Sequence, residues 1–252
     1  MSSPEYHKIQ SIYMRYTKEV LQDMEAHGED ISDIKKGSLI LGKYTLPEFE
    51  MLKDITWEFT EKVDGTNIRL SLDPTPAIGE DGLPMVNDFG EIIQESGEHK
   101  LTIEGRTSKS QIPVNLTEAI QNLLPVSKFK EVFSDKPDWV YLYGEGYGAR
   151  IQKGGGDYIP DGVSFILFDI RVGNTWLRRD SVVEIGEQLG LKVVPVIGEG
   201  TLEDGINMCK EGFKSQLRDS EPEGIIARPK HELRDRRGRR ILTKIKLCDF
   251  RE

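Results

Sequence analysis

At 252 residues the chain is long enough for one large domain or two small ones with a sizeable core. Its apolar share of 37% and charged share of 31% predict a polar-surfaced globular protein; no apolar run is long enough to span a bilayer, and MSSPEYHKIQ lacks the apolar core of a signal peptide. A net charge of −9 excludes a large nonspecific nucleic-acid clamp, while two distant cysteines (Cys209, Cys248) and four histidines without ligand spacing predict a reduced, cytosolic protein without structural zinc.

Residues 5 to 27 carry Ile9, Ile12, Tyr13, Tyr16, Val20 and Met24 at mostly three- and four-residue steps, which predicts a helix. Strand patterns begin at Trp57, where Trp57 and Phe59 alternate with Glu58 and Thr60. EKVDGTN (61–67) follows, and Ile68, Leu70 and Leu72 alternate beyond it. Asp-Gly between two alternating runs predicts a hairpin whose turn presents Lys62. Residues 73 to 98, with Pro74, Pro76, Gly79, Gly82 and Pro84, read as a loop or a hairpin insertion. LTIEGR (101–106) predicts a further strand, and a short helix is expected around 116 to 124.

Trp139, Tyr141 and Tyr143 alternate as a strand leading into GEGYGARIQKGGG. That run lacks the helix start and spacing of a dinucleotide fingerprint, and no Walker spacing is present. It reads as a glycine-rich loop, with Glu145 emerging from the strand into a site. SFILFDI (164–170) predicts a buried strand ending in Phe168 and Asp169. Ser181 with Glu184 predicts a capping box for a helix that Gly190 closes, followed by a strand at 191 to 197. Leu202, Ile206, Cys209, Phe213 and Leu217 mark an amphipathic helix. Two last strands, EGIIAR and ILTKIKL, flank KHELRDRRGRR (230–240), whose six Lys/Arg against two acids give a local +4. Strands and helices without regular βαβ alternation predict one α+β domain with mainly antiparallel sheets.

In ILTKIKL a period of two puts Thr243, Ile245 and Leu247 on one face and Leu242, Lys244 and Lys246 on the other. Lysines side by side repel unless solvent or an anion covers them, so this face is either wet or a phosphate site. Glu223, at the start of the preceding strand, offers a carboxylate for a divalent cation.

In chain order the signals are Lys-x-Asp-Gly-x-Asn (62–67), Arg106 after a strand, Tyr-Gly-Glu (143–145), Phe-Asp (168–169), Glu-Gly-Ile-Ile (223–226) and Lys-x-Lys (244–246). Together they resemble the covalent nucleotidyltransferases: ATP-dependent RNA and DNA ligases and mRNA capping enzymes. The resemblance runs from about Trp57 to Lys246. It implies an α+β nucleotidyltransferase (ATP-grasp-like) core of mainly antiparallel sheets with flanking helices, over 1–252 with an N-terminal extension at about 1–55. It implies that Lys62 attacks the α-phosphorus of ATP and forms lysyl-AMP, for which the amine needs a lowered pKa. Lys244 and Lys246 would depress that pKa and neutralise the α-phosphate. Glu61, Asp64 and Gly65 would complete the nucleotide site with Arg106 and Glu145 at the ribose, Phe168 stacked on the base, and Glu223 with Glu145 serving Mg2+ or Mn2+.

DNA ligases and capping enzymes usually show arginine at the place of Asn67, whereas many RNA ligases show asparagine. The GEGYGARIQKGGG segment and the N-terminal stretch up to WEFTEKVDGTN also resemble phage-type RNA ligases of the RNA ligase 2 group, which implies a place for Asn67 near the RNA ends. Asp64 departs from the histidine of some members. What this implies is an enzyme joining 5′-phosphate and 3′-hydroxyl RNA ends in the cytoplasm (host cytoplasm if phage-encoded), with no membrane partner. The sequence stops six residues after Lys246, so the expectation is a core without the OB-fold or helical domain that often follows, leaving room for an accessory protein that supplies it. A DNA ligase, an mRNA-capping guanylyltransferase core and a non-catalytic RNA-binding protein on the same fold remain alternatives.

Overall fold

The computed structural model describes residues 5–88, 92–107, 109–133 and 140–251. The strands are β1 (Gln10–Ser11), β2 (Tyr13–Arg15), β3 (Leu39–Tyr44), β4 (Trp57–Lys62), β5 (Thr66–Pro76), β6 (Gln94–Gly105), β7 (Val140–Gly148), β8 (Val163–Val172), β9 (Thr175–Trp176), β10 (Lys192–Val193), β11 (Val196–Gly200), β12 (Gly224–Pro229) and β13 (Thr243–Lys246). The helices are α1 (Lys18–Ala26), α2 (Pro47–Met51), α3 (Val114–Leu123), α4 (Val126–Val132), α5 (Arg179–Leu189) and α6 (Leu202–Glu211). The chain forms two compact units: one comprises Met1–Tyr6 and Asp64–Val194, the other His7–Val63 and Pro195–Glu252.

The first unit is built on a six-stranded sheet in the order β10-β8-β7-β5-β6, with β9 beside β8. Only β10 runs parallel to its neighbour. On β5, Ile68, Leu70 and Leu72 point one way and pack with Leu142, Leu167 and Ile170 against Leu116 and Ile120 of α3, Phe129 of α4 and Val182 of α5. Burying each such side chain contributes about 1.5–3 kcal/mol, so this face fixes the register. The opposite face is polar: Asn67, Arg69 and Ser71 stand across from Glu145, Tyr143 and Tyr141 of β7.

The second unit carries a five-stranded sheet, β1-β13-β12-β4-β11, and a small β2-β3 pair. Trp57 and Phe59 of β4 join Ile225, Ala227 and Ile245 in a core closed by Phe49 of α2 and by Leu202, Ile206 and Cys209 of α6. Within β13 the expected alternation holds, with Thr243 and Ile245 buried, Leu247 buried beyond its end and Lys244 and Lys246 half-buried on the other face. Leu242, expected beside the lysines, precedes the strand and is itself buried. No helix among the described residues is long and apolar enough to cross a membrane.

Several expected elements differ. Helix is confined to Lys18–Ala26, because Gln10 and Ser11 pair in parallel with Thr243 and Lys244 instead. A local apolar spacing cannot anticipate a partner at the far end of the chain. The hairpin expected around EKVDGTN does not form: β4 pairs with β11 and β12, while β5 pairs with β6 and β7. The strand expected to end near Tyr143 continues through Gly148. Ser181 lies inside α5, whose N-cap is Arg178 without a side-chain cap, although Gly190 does close it. The stretch 191–197 divides into β10 and β11, which belong to different sheets. The last helix stops at Glu211, so Phe213 and Leu217 lie beyond it, and α4 had no counterpart in the expectation. Trp139 lies outside the described residues.

Candidate active site

Three strands converge on Lys62. In register, Lys62 of β4 stands across from Gly224 of β12, and Gly224 stands across from Lys246 of β13. The position between the two lysines thus has no side chain. A Cβ there would meet the carbonyl oxygen of Ile245 at 2.1 Å, and the backbone holds φ +155, so only glycine fits. Glu223, one residue earlier, receives Lys62 Nζ on Oε2 at 2.5 Å and Lys246 Nζ on Oε1 at 2.6 Å. Lys62 Nζ also donates to the carbonyl of Val63 at 3.3 Å. Lys244 lies one row away, across from Ile226 and Ser11.

The charges respond to this crowding. Burial alone would raise the Glu223 carboxyl, but Lys62 and Lys246 outweigh it and hold the group below the usual carboxylate range. Burial pulls Lys246 down, yet the hydrogen bond and charge of Glu223 win and raise it. Lys244 is lowered, first by burial and then by the positive charges of Lys246 and Lys62. A cation disfavoured in this way is a favourable place for an anion to land.

Glu61 stands on the opposite, buried face of β4. Its carboxylate accepts from the Ser215 hydroxyl and, at 2.8 Å, from the Gln216 N–H. Ser215 Oγ in turn accepts from the N–H groups of Leu217 and Arg218, both at 3.0 Å. Glu61 therefore braces the segment that leads into Glu223. Nothing in the sequence pointed to Ser215; the available signal was a glutamate at the inward position shared with Trp57 and Phe59.

The other candidates lie in the six-stranded unit. The Asp64 N–H donates to the Tyr158 hydroxyl at 3.0 Å, and Gln152 Nε2 donates to the Gly65 carbonyl at 3.0 Å. The stretch after β7 thus holds the Asp64-Gly65 turn. Gly65 is pressed against β7, where a Cβ would meet the Gly146 carbonyl oxygen at 2.3 Å. Asn67 pairs in register with Glu145, and its buried amide oxygen has no hydrogen-bond partner among the described residues. Such an atom is a natural contact for a ligand. Two residues on, the buried Arg69 is held by Glu104 at 2.8 Å, a pair the sequence reading missed. Arg106 is exposed just beyond β6.

Phe168 occupies a β-bulge. Tyr143 pairs with Asp169 and Gly144 with Leu167, leaving Phe168 as the extra residue of β8. Bulges re-aim side chains, and this one leaves Phe168 half-buried amid fully buried neighbours.

The basic run between β12 and β13 is mostly self-paired. Glu232 takes Arg234 and Arg240, Asp235 takes Arg239, and Lys230 reaches Glu199. Arg236 and Arg237 remain exposed at the tip.

The sequence model of the RNA ligase family matches residues 55–246. No curated protein matches the chain. Among solved structures, it resembles a Naegleria gruberi RNA ligase variant with ATP and Mn, at TM-score 0.51 and 19% identity over 79% of this chain and 52% of that one. An apo variant of the same ligase matches at TM-score 0.53 and 16% identity, over 98% and 58%. The same enzyme with PPi matches at 0.52 and 18%, over 90% and 68%. At such identities the likeness is one of fold, and the chain spans between half and two thirds of the length of the first two.

Proposed function

The chain belongs to the RNA ligase family, and on that premise we propose that it is an ATP-dependent RNA ligase working through a lysyl-AMP intermediate. The observation that carries the reading is Glu223 holding Lys62 and Lys246 on its two oxygens, with Lys244 one row away. A structural ion pair needs one lysine. Three on one sheet face suit a polyphosphate.

In the first step Nζ of Lys62 leaves Glu223, gives a proton to solvent and forms a bond to the α-phosphorus of ATP; the bond from that phosphorus to the bridging oxygen breaks, pyrophosphate departs, and a second proton leaves the new phosphoramidate nitrogen for solvent. Lys244 and Lys246 offset the charge that develops on the phosphate oxygens. Among the described residues no three or more His, Cys, Asp or Glu side chains converge to hold a metal. A Mg2+ or Mn2+ ion that takes most of its ligands from phosphate and water is compatible with so few protein carboxylates, and Glu223, beside Lys62 and Lys246, would be the one to serve it. When bound, it would supply charge neutralisation and orient the leaving pyrophosphate. Phe168 stacks on the base, with Arg106 and Glu145 at the ribose.

AMP then passes to a 5′-phosphate RNA end, and a 3′-hydroxyl displaces it to seal the strand. The amide oxygen of Asn67, without a hydrogen-bond partner among the described residues, supports a place for that side chain at the RNA ends. Exposed Arg236 and Arg237 support contact with the RNA backbone, which weakens as salt rises.

The test is transfer of label from α-phosphate-labelled ATP, with Mg2+ or Mn2+, to the denatured protein. Wild type takes up label and Lys62→Ala takes up none. Absence of label in wild type, or undiminished label in Lys62→Ala, rules the enzyme out. Label taken from GTP instead points to a capping enzyme, and nicked DNA sealed in preference to nicked or single-stranded RNA points to a DNA ligase.

A further inference from the structure

Tyr6 takes no part in the steps above, yet it is 5% exposed. Its hydroxyl donates to Oδ2 of Asp169 at 2.5 Å, and Asp169, the residue after Phe168, is fully buried. Its ring stands edge-on to Phe168, with centroids 5.0 Å apart and planes at 71°. It also meets Trp176 edge-on at 5.5 Å and leans on Tyr143 at 5.2 Å. A stretch of chain far from β8 in sequence thus ends in a side chain packed around one bulge.

The bulge is where such packing matters. An ordinary strand residue has a cross-strand neighbour that limits its rotamers, and Phe168 has none on β7. The backbone there is fixed from one side by Arg179, whose Nη1 donates to the Phe168 carbonyl at 3.4 Å. The direction of the ring is left to whatever touches it, and Tyr6 does so with its edge while its hydroxyl anchors the next residue.

We propose that Tyr6 is a positioning residue for nucleotide recognition: its ring and its bond to Asp169 hold Phe168 in the orientation that stacks on the base of ATP. This rests on the reading of Phe168 as the base-stacking group. Holding the ring in place before ATP arrives removes the ordering cost from the binding step. Tyr6 therefore acts on affinity for ATP and leaves the chemistry at Lys62 untouched.

The experiment measures lysyl-AMP formation in single turnover against ATP concentration. Tyr6→Leu and Tyr6→Met both refill the space without an aromatic edge or hydroxyl, and running them together keeps the test standing if one fails to fold. In either, half-saturating ATP rises about three- to ten-fold, as expected for loss of an edge-to-face pair, with the saturating rate within about two-fold of wild type. Adding the same substitution to Phe168→Ala produces no further rise. The proposal is overturned if Phe168→Ala weakens ATP while the Tyr6 variants do not, if the two effects add, or if the saturating rate falls instead. If Phe168→Ala itself leaves the ATP dependence unchanged, it is the base-stacking reading that has failed.

Discussion

Of the three lysines on the β4–β12–β13 face, Glu223 takes Lys62 and Lys246, and Lys244 has no ion pair among the described residues. Its depressed pKa means that folding disfavours its charge, through burial first and through Lys246 and Lys62 second. The unfolded chain therefore holds this proton more tightly than the folded one. Stability rises with pH across the window between the lowered folded value and the ordinary 10.5. Lys244→Met should accordingly raise the melting temperature of the ligand-free protein near pH 7 by about 1–3 °C. That advantage should shrink toward pH 10.5, where wild type sheds the same cost. Lysyl-AMP formation should meanwhile drop by about a hundred-fold or more. Calorimetry at the two pH values and the labelling assay check both halves, and a variant that is less stable at pH 7 would count against the account. Lys62, Glu223, Lys244 and Lys246 were legible in the sequence because a period of two and a recurring motif order sufficed. Ser215, Tyr158 and Tyr6 were not, because their hydrogen bonds reach across 154, 94 and 163 residues.

At the scale of elements, most strands could be read from alternation, since a half-buried strand writes its burial into every second residue. Pairing could not. EKVDGTN has the composition of a hairpin turn, yet both flanking strands already have two neighbours each, so the two cannot pair with one another. The glycine of that turn then has a different reason to be there, namely its approach to the Gly146 carbonyl. Gly65→Ala should destabilise by about 1–3 kcal/mol, the usual cost of overpacking a tight contact. Urea unfolding measures it, and an unchanged midpoint would show that the backbone yields freely there. The continuation of β7 through its glycines was hidden for a related reason. A Cβ at Gly144 would meet the Ile166 carbonyl oxygen at 2.3 Å, so what looked like loop composition is the price of close strands. The α5 capping box failed because Ser181 satisfies the motif two residues inside a helix that had already begun.

For the molecule as a whole, composition bounded size and polarity but not the path of the chain, which changes unit after Tyr6, after Val63 and after Val194. No compositional linker marks these points. Two of them have a common consequence. β4 and β11 are antiparallel partners, with Thr60 across from Val196, and the Glu61 N–H donates to the Pro195 carbonyl at 3.1 Å. The chain therefore leaves the five-stranded sheet and returns to it at the tip of what is geometrically a hairpin. In architectural terms Asp64–Val194 is a guest in a host sheet. Removing it and joining Val63 to Pro195 through a four-residue turn should yield a miniature that unfolds cooperatively and keeps Lys62 within reach of Glu223. Circular dichroism melting and amide dispersion in NMR test this, and a non-cooperative melt would show that the host needs its guest. If the miniature folds, the cluster of Lys62, Glu223 and Lys246 is the property of a sheet that can stand without the residues expected to read the base, a modular origin that the linear sequence conceals.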